Sequence, residues 1–280
     1  MRGAVAIATT TMLASCTIGD PSQPGGRPEE SSSAAVERKP QPTLSETAPA
    51  ASTNEGELGI TVPAGTGVAI AGAGSAGLNG PAGSVPPWST IKVPLSIAAV
   101  RGNDTLLPTM RTAITQSSNA DAETLWAAMG DPATAGAATE AVIAEAGSRA
   151  TVETTVVRPG FSSYGQSNWS VEQQAEFASG LRCVRGAAPV VEAMGQIAAG
   201  AGYGLGVVPG AIFKGGWGPD ASGVYGVRQF GLVPRGDGSS VAVAVSAVSQ
   251  DGSMEAAQQQ LTQLVNGLVP KLAEFPAARC

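Results

Sequence analysis

The sequence predicts an α+β fold within the broader α/β class: one antiparallel sheet flanked by helices, with a helical subdomain inserted between its first strands and its last. Three features predict it. A β-rich apolar run lies near residue 66, a long helical stretch follows, and strand patterns joined by a tight turn then lead into an amphipathic closing helix. A serine between the helical and sheet parts would sit in the cleft they form.

Thr66 to Ala73 reads as a strand, and the Gly/Ala/Ser-rich stretch Gly72 to Gly83 as a turn region joining two antiparallel strands. Ser89 opens a helix whose apolar positions Ile91, Leu95, Ala98 and Ala99 leave Lys92 on the Ser89 face. Pro94 is tolerated there because it falls in the first turns. Gly102-Asn103-Asp104 ends that helix, and Leu107 to Thr115 forms another, with Pro108 near its start. Alanine-rich helical patterns over Asn119 to Ala128 and Thr134 to Ala146 are separated by Gly130-Asp131-Pro132. Arg158 to Trp169 has no periodicity and reads as a loop. Ser170 then caps the next helix, with Gln173 completing a capping box. Phe213 to Gly216, Tyr225 to Val233 and Ser240 to Val248 read as strands, with Gly236-Asp237-Gly238 as the hairpin turn, and Met254 to Glu274 as the closing helix.

The 280-residue chain contains no histidine. A serine nucleophile needs a neighbouring base, and without an imidazole a Ser-His-Asp triad cannot be built. Lysine is the remaining candidate. Of Lys39, Lys92, Lys214 and Lys271, only Lys92 follows a serine at i+3, in Trp88-Ser89-Thr90-Ile91-Lys92. On a helix, side chains at i and i+3 share one face about 5–6 Å apart at Cβ. Ser89 is therefore the candidate nucleophile and Lys92 its base, although a serine at a helix start also serves as an N-cap. To act as a base Lys92 must be partly neutral, which burial and a second nearby cation such as Lys214 would both promote.

Downstream stand Ser117-Ser118-Asn119, an S-x-N between two helical patterns, and Lys214-Gly215-Gly216, a K-x-G on an apolar strand. Three motifs in the order S-x-x-K, S-x-N, K-x-G resemble those of the penicillin-binding proteins and class A β-lactamases, with the class A catalytic domain the nearest likeness. The resemblance covers roughly Gly59 to Phe275 and implies a β-lactamase-like fold. It implies that Ser117 relays a proton to the leaving group and that Asn119 positions the substrate amide and Lys92. Lys214 would attract a substrate carboxylate, and Gly216 would let a substrate amide approach the strand edge. Arg228, on the next strand, lies near where some class A enzymes hold an arginine for that carboxylate. Trp88 and Trp217 flank the nucleophile and the lysine strand, as cleft rim or as packing. The chain departs from the family in three places. Ser117 follows Ser89 by only 28 positions, which implies a reduced helical subdomain. The third motif lacks its usual hydroxyl residue at Gly215. No Glu-x-x-Leu-Asn precedes the helix at Ser170, and between Arg158 and Ser170 there is no carboxylate; Glu153 and Glu172 lie outside that span. An acyl-enzyme on Ser89 would therefore deacylate slowly.

The N-terminus, with Arg2, an apolar run from Gly3 to Ala14 and then Leu13-Ala14-Ser15-Cys16, resembles a bacterial lipoprotein signal. That reading makes residues 1–15 a signal peptide, Cys16 the lipidation site and the chain an extracytoplasmic lipoprotein at the cell membrane. Residues 16–58, rich in Pro, Ser, Thr, Glu and Ala, would form a disordered tether and residues 59–280 the folded domain. In an oxidising location Cys183 and Cys280 allow one disulfide or remain two free thiols. A net charge of −6 without a basic cluster argues against nucleic acid as a partner. No metal-ligand spacing or phosphate loop is present, so neither metal nor cofactor is expected. The expected partners are a β-lactam or peptidoglycan-like small substrate and the membrane, with the protein a monomer. A second hypothesis stands beside the enzyme: a catalytically silent binding or accessory lipoprotein that keeps the fold and cleft.

Overall fold

The structure, a computed structural model, describes residues 54–55, 58–198 and 201–280. Its centre is a five-stranded antiparallel sheet of order β4-β3-β7-β6-β5: β3 is Thr66–Ile70, β4 Gly74–Ala76, β5 Ile212–Pro219, β6 Tyr225–Pro234 and β7 Ser240–Val248. A separate two-stranded ribbon pairs β1 (Asn54–Glu55) with β2 (Thr61–Val62), so regular structure begins a few residues before position 59. The signal, Cys16 and most of the tether lie outside the described residues.

Strand β7 shows how the sheet is held. Val241, Val243, Val245 and Ala247 face one apolar cluster, and Ala242 and Ala244 face another. Both faces of the sheet are covered, so the strand reads as a near-continuous apolar run. The first face packs against α7 (Met254–Leu268), whose Leu261, Leu264, Val265 and Leu268 are buried. Each such leucine contributes roughly 1.5–3 kcal/mol through removal from water. The second face packs against α5 (Val171–Gly180), where Trp169, Phe177 and Phe230 meet edge to face at 5.2–5.7 Å. Beyond it lie α1 (Lys92–Val100), α2 (Leu107–Thr115), α3 (Asn119–Ala128), α4 (Pro132–Glu145) and the short α6 (Ala188–Met194).

Local sequence signals explain most boundaries. Asp131 caps α4 and Ser253 caps α7, and Ser170 with Gln173 forms the capping box that starts α5. The closing helix is shorter than its pattern predicts: it becomes a 3₁₀ turn over Val269–Glu274, where Pro270 removes a backbone donor. A second difference matters more. Ser89 does not open an α-helix; it lies in a 3₁₀ turn over Trp88–Ile91 that runs directly into α1. Cys183 and Cys280 form a disulfide with Cα atoms 5.7 Å apart, tying the chain end to the turn after α5.

Candidate active site

Ser89 sits where the helical layer meets β5. The backbone N–H of Lys92 bonds back to the carbonyl of Ser89, closing the turn between them. In a 3₁₀ turn, side chains at i and i+3 eclipse, so this geometry aligns Ser89 and Lys92 more directly than an α-helix would. The turn is fixed from below: Thr90 Oγ1 donates to the Pro87 carbonyl and accepts from Gln174 Nε2 at 2.7 Å, all buried.

Trp88, just before Ser89, adopts φ +48°, a left-handed conformation that costs a bulky residue on the order of 1–3 kcal/mol. Packing holds it there. Its ring is buried, lies 5.5 Å from Phe161, and occupies the space beside Gly218, where a Cβ would come within 2.6 Å of it. The Arg158 guanidinium stacks 4.3 Å from the Phe161 ring centre and 5.6 Å from that of Trp88. Trp88 is thus a packing residue, whereas Trp217 is only partly buried and lies 6.1 Å from Tyr225.

The three motifs meet around Ser117. Lys92 Nζ donates to the Ser117 carbonyl at 2.6 Å and to Asn119 Oδ1 at 2.7 Å; Lys214 Nζ donates to Ser117 Oγ at 2.9 Å and to the Gly215 carbonyl at 2.8 Å. Ser117 has φ +55°, a conformation several-fold rarer for serine than for glycine and associated with constrained sites. The cap of α3 is Ser118, whose Oγ accepts from the Asp121 N–H. Asn119 is therefore not spent on capping and its amide oxygen serves Lys92. Lys92 and Lys214 are only 1% and 3% exposed, so two amines share a dry site with Ser117 between them.

Gly216 is required where β5 passes the turn. A Cβ on it would lie 2.7 Å from both the Ser89 nitrogen and the Pro87 carbonyl oxygen. The Gly215 carbonyl points off the sheet edge towards Lys214 Nζ. Residues two apart on a strand project their backbone groups to the same side, so the Trp217 N–H also faces off that edge, one residue after Gly216, whose Cβ position lies against the Ser89 nitrogen. Two backbone donors there could serve a developing oxyanion.

Arg228 lies apart from this cluster. It is directly opposite Gly216 in the β5–β6 register, but its side chain is 1% exposed and its NH1 donates to the Trp169 carbonyl at 2.5 Å. Burial pushes its guanidinium down to about 9, with the negative charge of Glu172 acting in the opposite direction. The geometry makes Arg228 an anchor for the end of the 158–169 loop rather than a group open to the cleft. Strand parity indicated the face but not the depth, because both faces of this sheet are covered.

One pair escaped the sequence reading. Tyr164, in the loop, donates to Glu123 Oε1 at 2.8 Å. Burial first, and then the Glu123 charge, hold the phenol far above its ordinary range. Glu123 stands four residues after Asn119 on α3, a same-face spacing that was the available signal. Of the other acids near the loop, Glu153 is held through its backbone N–H to Ser167 Oγ, and Glu172 accepts from Ser75 Oγ at 3.4 Å in an exposed position.

No protein-family model and no curated protein matches the chain. Solved structures do. The chain is similar to the TLA-3 extended-spectrum β-lactamase, with TM-score 0.60 at 12% identity, covering 75% of this chain and 94% of that one. A class A β-lactamase from Bacteroides cellulosilyticus gives 0.60 at 14%, with 75% and 92% covered. A β-lactamase from Chitinophaga pinensis gives 0.57 at 16%, with 74% and 93% covered. At such identities the likeness shows the fold, and the fold is β-lactamase-like.

Proposed function

We propose that the protein is a serine acyltransferase or hydrolase acting on β-lactams or peptidoglycan-like amides, with Ser89 as nucleophile and Lys92 as its base. The observation that carries this reading is the hydrogen-bonded cluster in which Lys92 binds Ser117 and Asn119 and Lys214 binds Ser117, with β5 passing against the Ser89 nitrogen at Gly216. Burial and the second amine act against a charged Lys92, while its bonds to the Ser117 carbonyl and Asn119 Oδ1 act for it; in its neutral form Lys92 takes up the proton of Ser89. Ser117 Oγ, already accepting from Lys214, can pass a proton to a leaving nitrogen. The Ser89 and Trp217 N–H groups receive the oxyanion. Deacylation is slow, because the loop from Arg158 to Ser170 carries no carboxylate and Glu123 is engaged by Tyr164.

The lipidated Cys16 holds this domain outside the cytoplasm at the cell membrane, a reading supported by the sequence around Leu13 to Cys16; loss of the protein from the membrane fraction on Cys16→Ala is the expected result, and retention would reject the anchor. Intact-protein mass after incubation with a fluorescent penicillin tests the chemistry. One adduct mapped to Ser89, absent from a folded Ser89→Ala variant, is expected. No adduct across several β-lactams would instead favour a silent binding protein that keeps the cleft.

A further inference from the structure

Gln174 is a polar side chain in an apolar interface. It lies on α5, whose Val171, Ala175, Phe177 and Ala178 pack into the core between the helices and the sheet, and it is fully buried. Its Nε2 donates to Thr90 Oγ1, while its Oε1 has no hydrogen-bond partner among the described residues. Burying an amide with one end unpaired is unfavourable, and a methionine would fill similar space without that cost. The amide cannot reverse to relieve it. Thr90 Oγ1 has a single proton and donates it to the Pro87 carbonyl, so it can only accept from Gln174. Stability therefore does not account for a glutamine here.

What the bond holds does. The Pro87 carbonyl accepts from both the N–H and Oγ1 of Thr90, and a Cβ on Gly216 would lie 2.7 Å from that carbonyl oxygen and from the Ser89 nitrogen. The turn that places Ser89 is thus pressed against β5 on one side and tied to α5 on the other, with Trp88 inside it at φ +48°. The far end of the tie is fixed to the same sheet. The Gln174 N–H donates to the Ser170 carbonyl, the preceding Trp169 carbonyl accepts from Arg228 NH1, and Arg228 stands directly opposite Gly216. A closed ring of contacts therefore runs from Gly216 through the turn, Gln174 and Trp169 to Arg228 and back. Gln174 is the link that joins its helical half to the turn of Ser89.

Resting on the function proposed above, we propose that Gln174 is a positioning residue for acylation: through Thr90 it fixes the turn so that Ser89 Oγ and the Ser89 N–H meet the substrate carbonyl together with the Trp217 N–H. Small displacements of a nucleophile or an oxyanion donor slow the covalent step far more than they weaken binding. Gln174 touches no substrate, so its loss changes the rate of acylation and leaves noncovalent binding alone.

Stopped-flow acylation by a fluorescent penicillin tests this, with noncovalent binding of benzylpenicillin read by calorimetry on protein carrying Ser89→Ala. Gln174→Met is expected to lower the limiting acylation rate about tenfold or more, to leave the binding constant within about twofold, and to leave the denaturant midpoint unchanged or higher. Thr90→Val removes the acceptor, so Gln174→Met made on that background is expected to add less than about twofold. An unchanged acylation rate, a parallel loss of binding or stability, or a full loss that persists in the Thr90→Val background would overturn the role of Gln174 while leaving the acyl-transfer reading intact. A protein that keeps Gln174 and is never acylated at Ser89 would overturn both.

Discussion

The lysine cluster and the 158–169 loop both pack against the turn that carries Ser89, yet they are built in opposite ways. In the cluster, two nearly inaccessible amines are bonded to one serine and one asparagine, all aimed at the same point. In the loop, the polar contacts serve attachment: Arg158 to the Pro219 carbonyl, Arg228 to the Trp169 carbonyl, Tyr164 to Glu123. One region gathers buried amines, and the other forms a rigid wall. Under the proposed mechanism the two halves of a covalent cycle would draw on separate equipment, acylation on the lysine cluster and deacylation on a loop carboxylate that this chain does not have between Arg158 and Ser170.

The comparison breaks most sharply at Lys92. Lys92→Met keeps the length of the side chain but removes the proposed base, and acylation by a fluorescent penicillin is expected to slow by about 10²–10⁴-fold. An unchanged rate in stopped-flow measurements would place the base elsewhere. A smaller effect separates the two motif glycines. Gly216→Ala forces a Cβ against the Ser89 nitrogen and is expected to cost about 1–3 kcal/mol in denaturant melts and to slow acylation. Gly215→Ala meets nothing closer than 3.5 Å and should change stability by less than about 0.5 kcal/mol. Equal costs at the two sites would contradict the close approach of β5 to the turn.

The smallest effect lies on the loop side. The phenol of Tyr164 is raised above its ordinary value near 10, so the folded state keeps that proton after the unfolded state has released it. The contribution is complete below pH about 10 and is lost as pH rises towards the folded value. Ultraviolet titration of the three tyrosines should therefore show one that ionises only as the protein unfolds. Tyr164→Phe should remove that step and move base-induced unfolding to higher pH. Three phenols titrating together near 10 would count against the buried Tyr164–Glu123 contact.

What the sequence disclosed follows from the range of each interaction. The helices at Leu107–Thr115 and Asn119–Ala128, the strand Ser240–Val248 and the Ser170–Gln173 capping box are written in neighbouring residues and were legible to the residue. The helix Ala188–Met194 was not, being too short to display a period. Ser89, Lys92, Ser117, Asn119, Lys214 and Gly216 were legible as three ordered motifs, and the structure brings them together. The strand order β4-β3-β7-β6-β5, the depth of Arg228 and the pairing of Tyr164 with Glu123 all depend on segments distant in the chain. No local pattern encodes them.

The central claim is that Ser89 is equipped to be acylated but the acyl group is not readily released. Rapid mixing with a chromogenic cephalosporin, followed into the steady state, tests it most directly. The account predicts a burst of about one ring opening per protein, retained mass on Ser89, and subsequent turnover well below about 1 per second, slow against a typical enzyme median near 10 per second. Sustained turnover at tens per second, abolished by Glu123→Gln, Glu153→Gln or Glu172→Gln, would contradict it by revealing a working deacylation base.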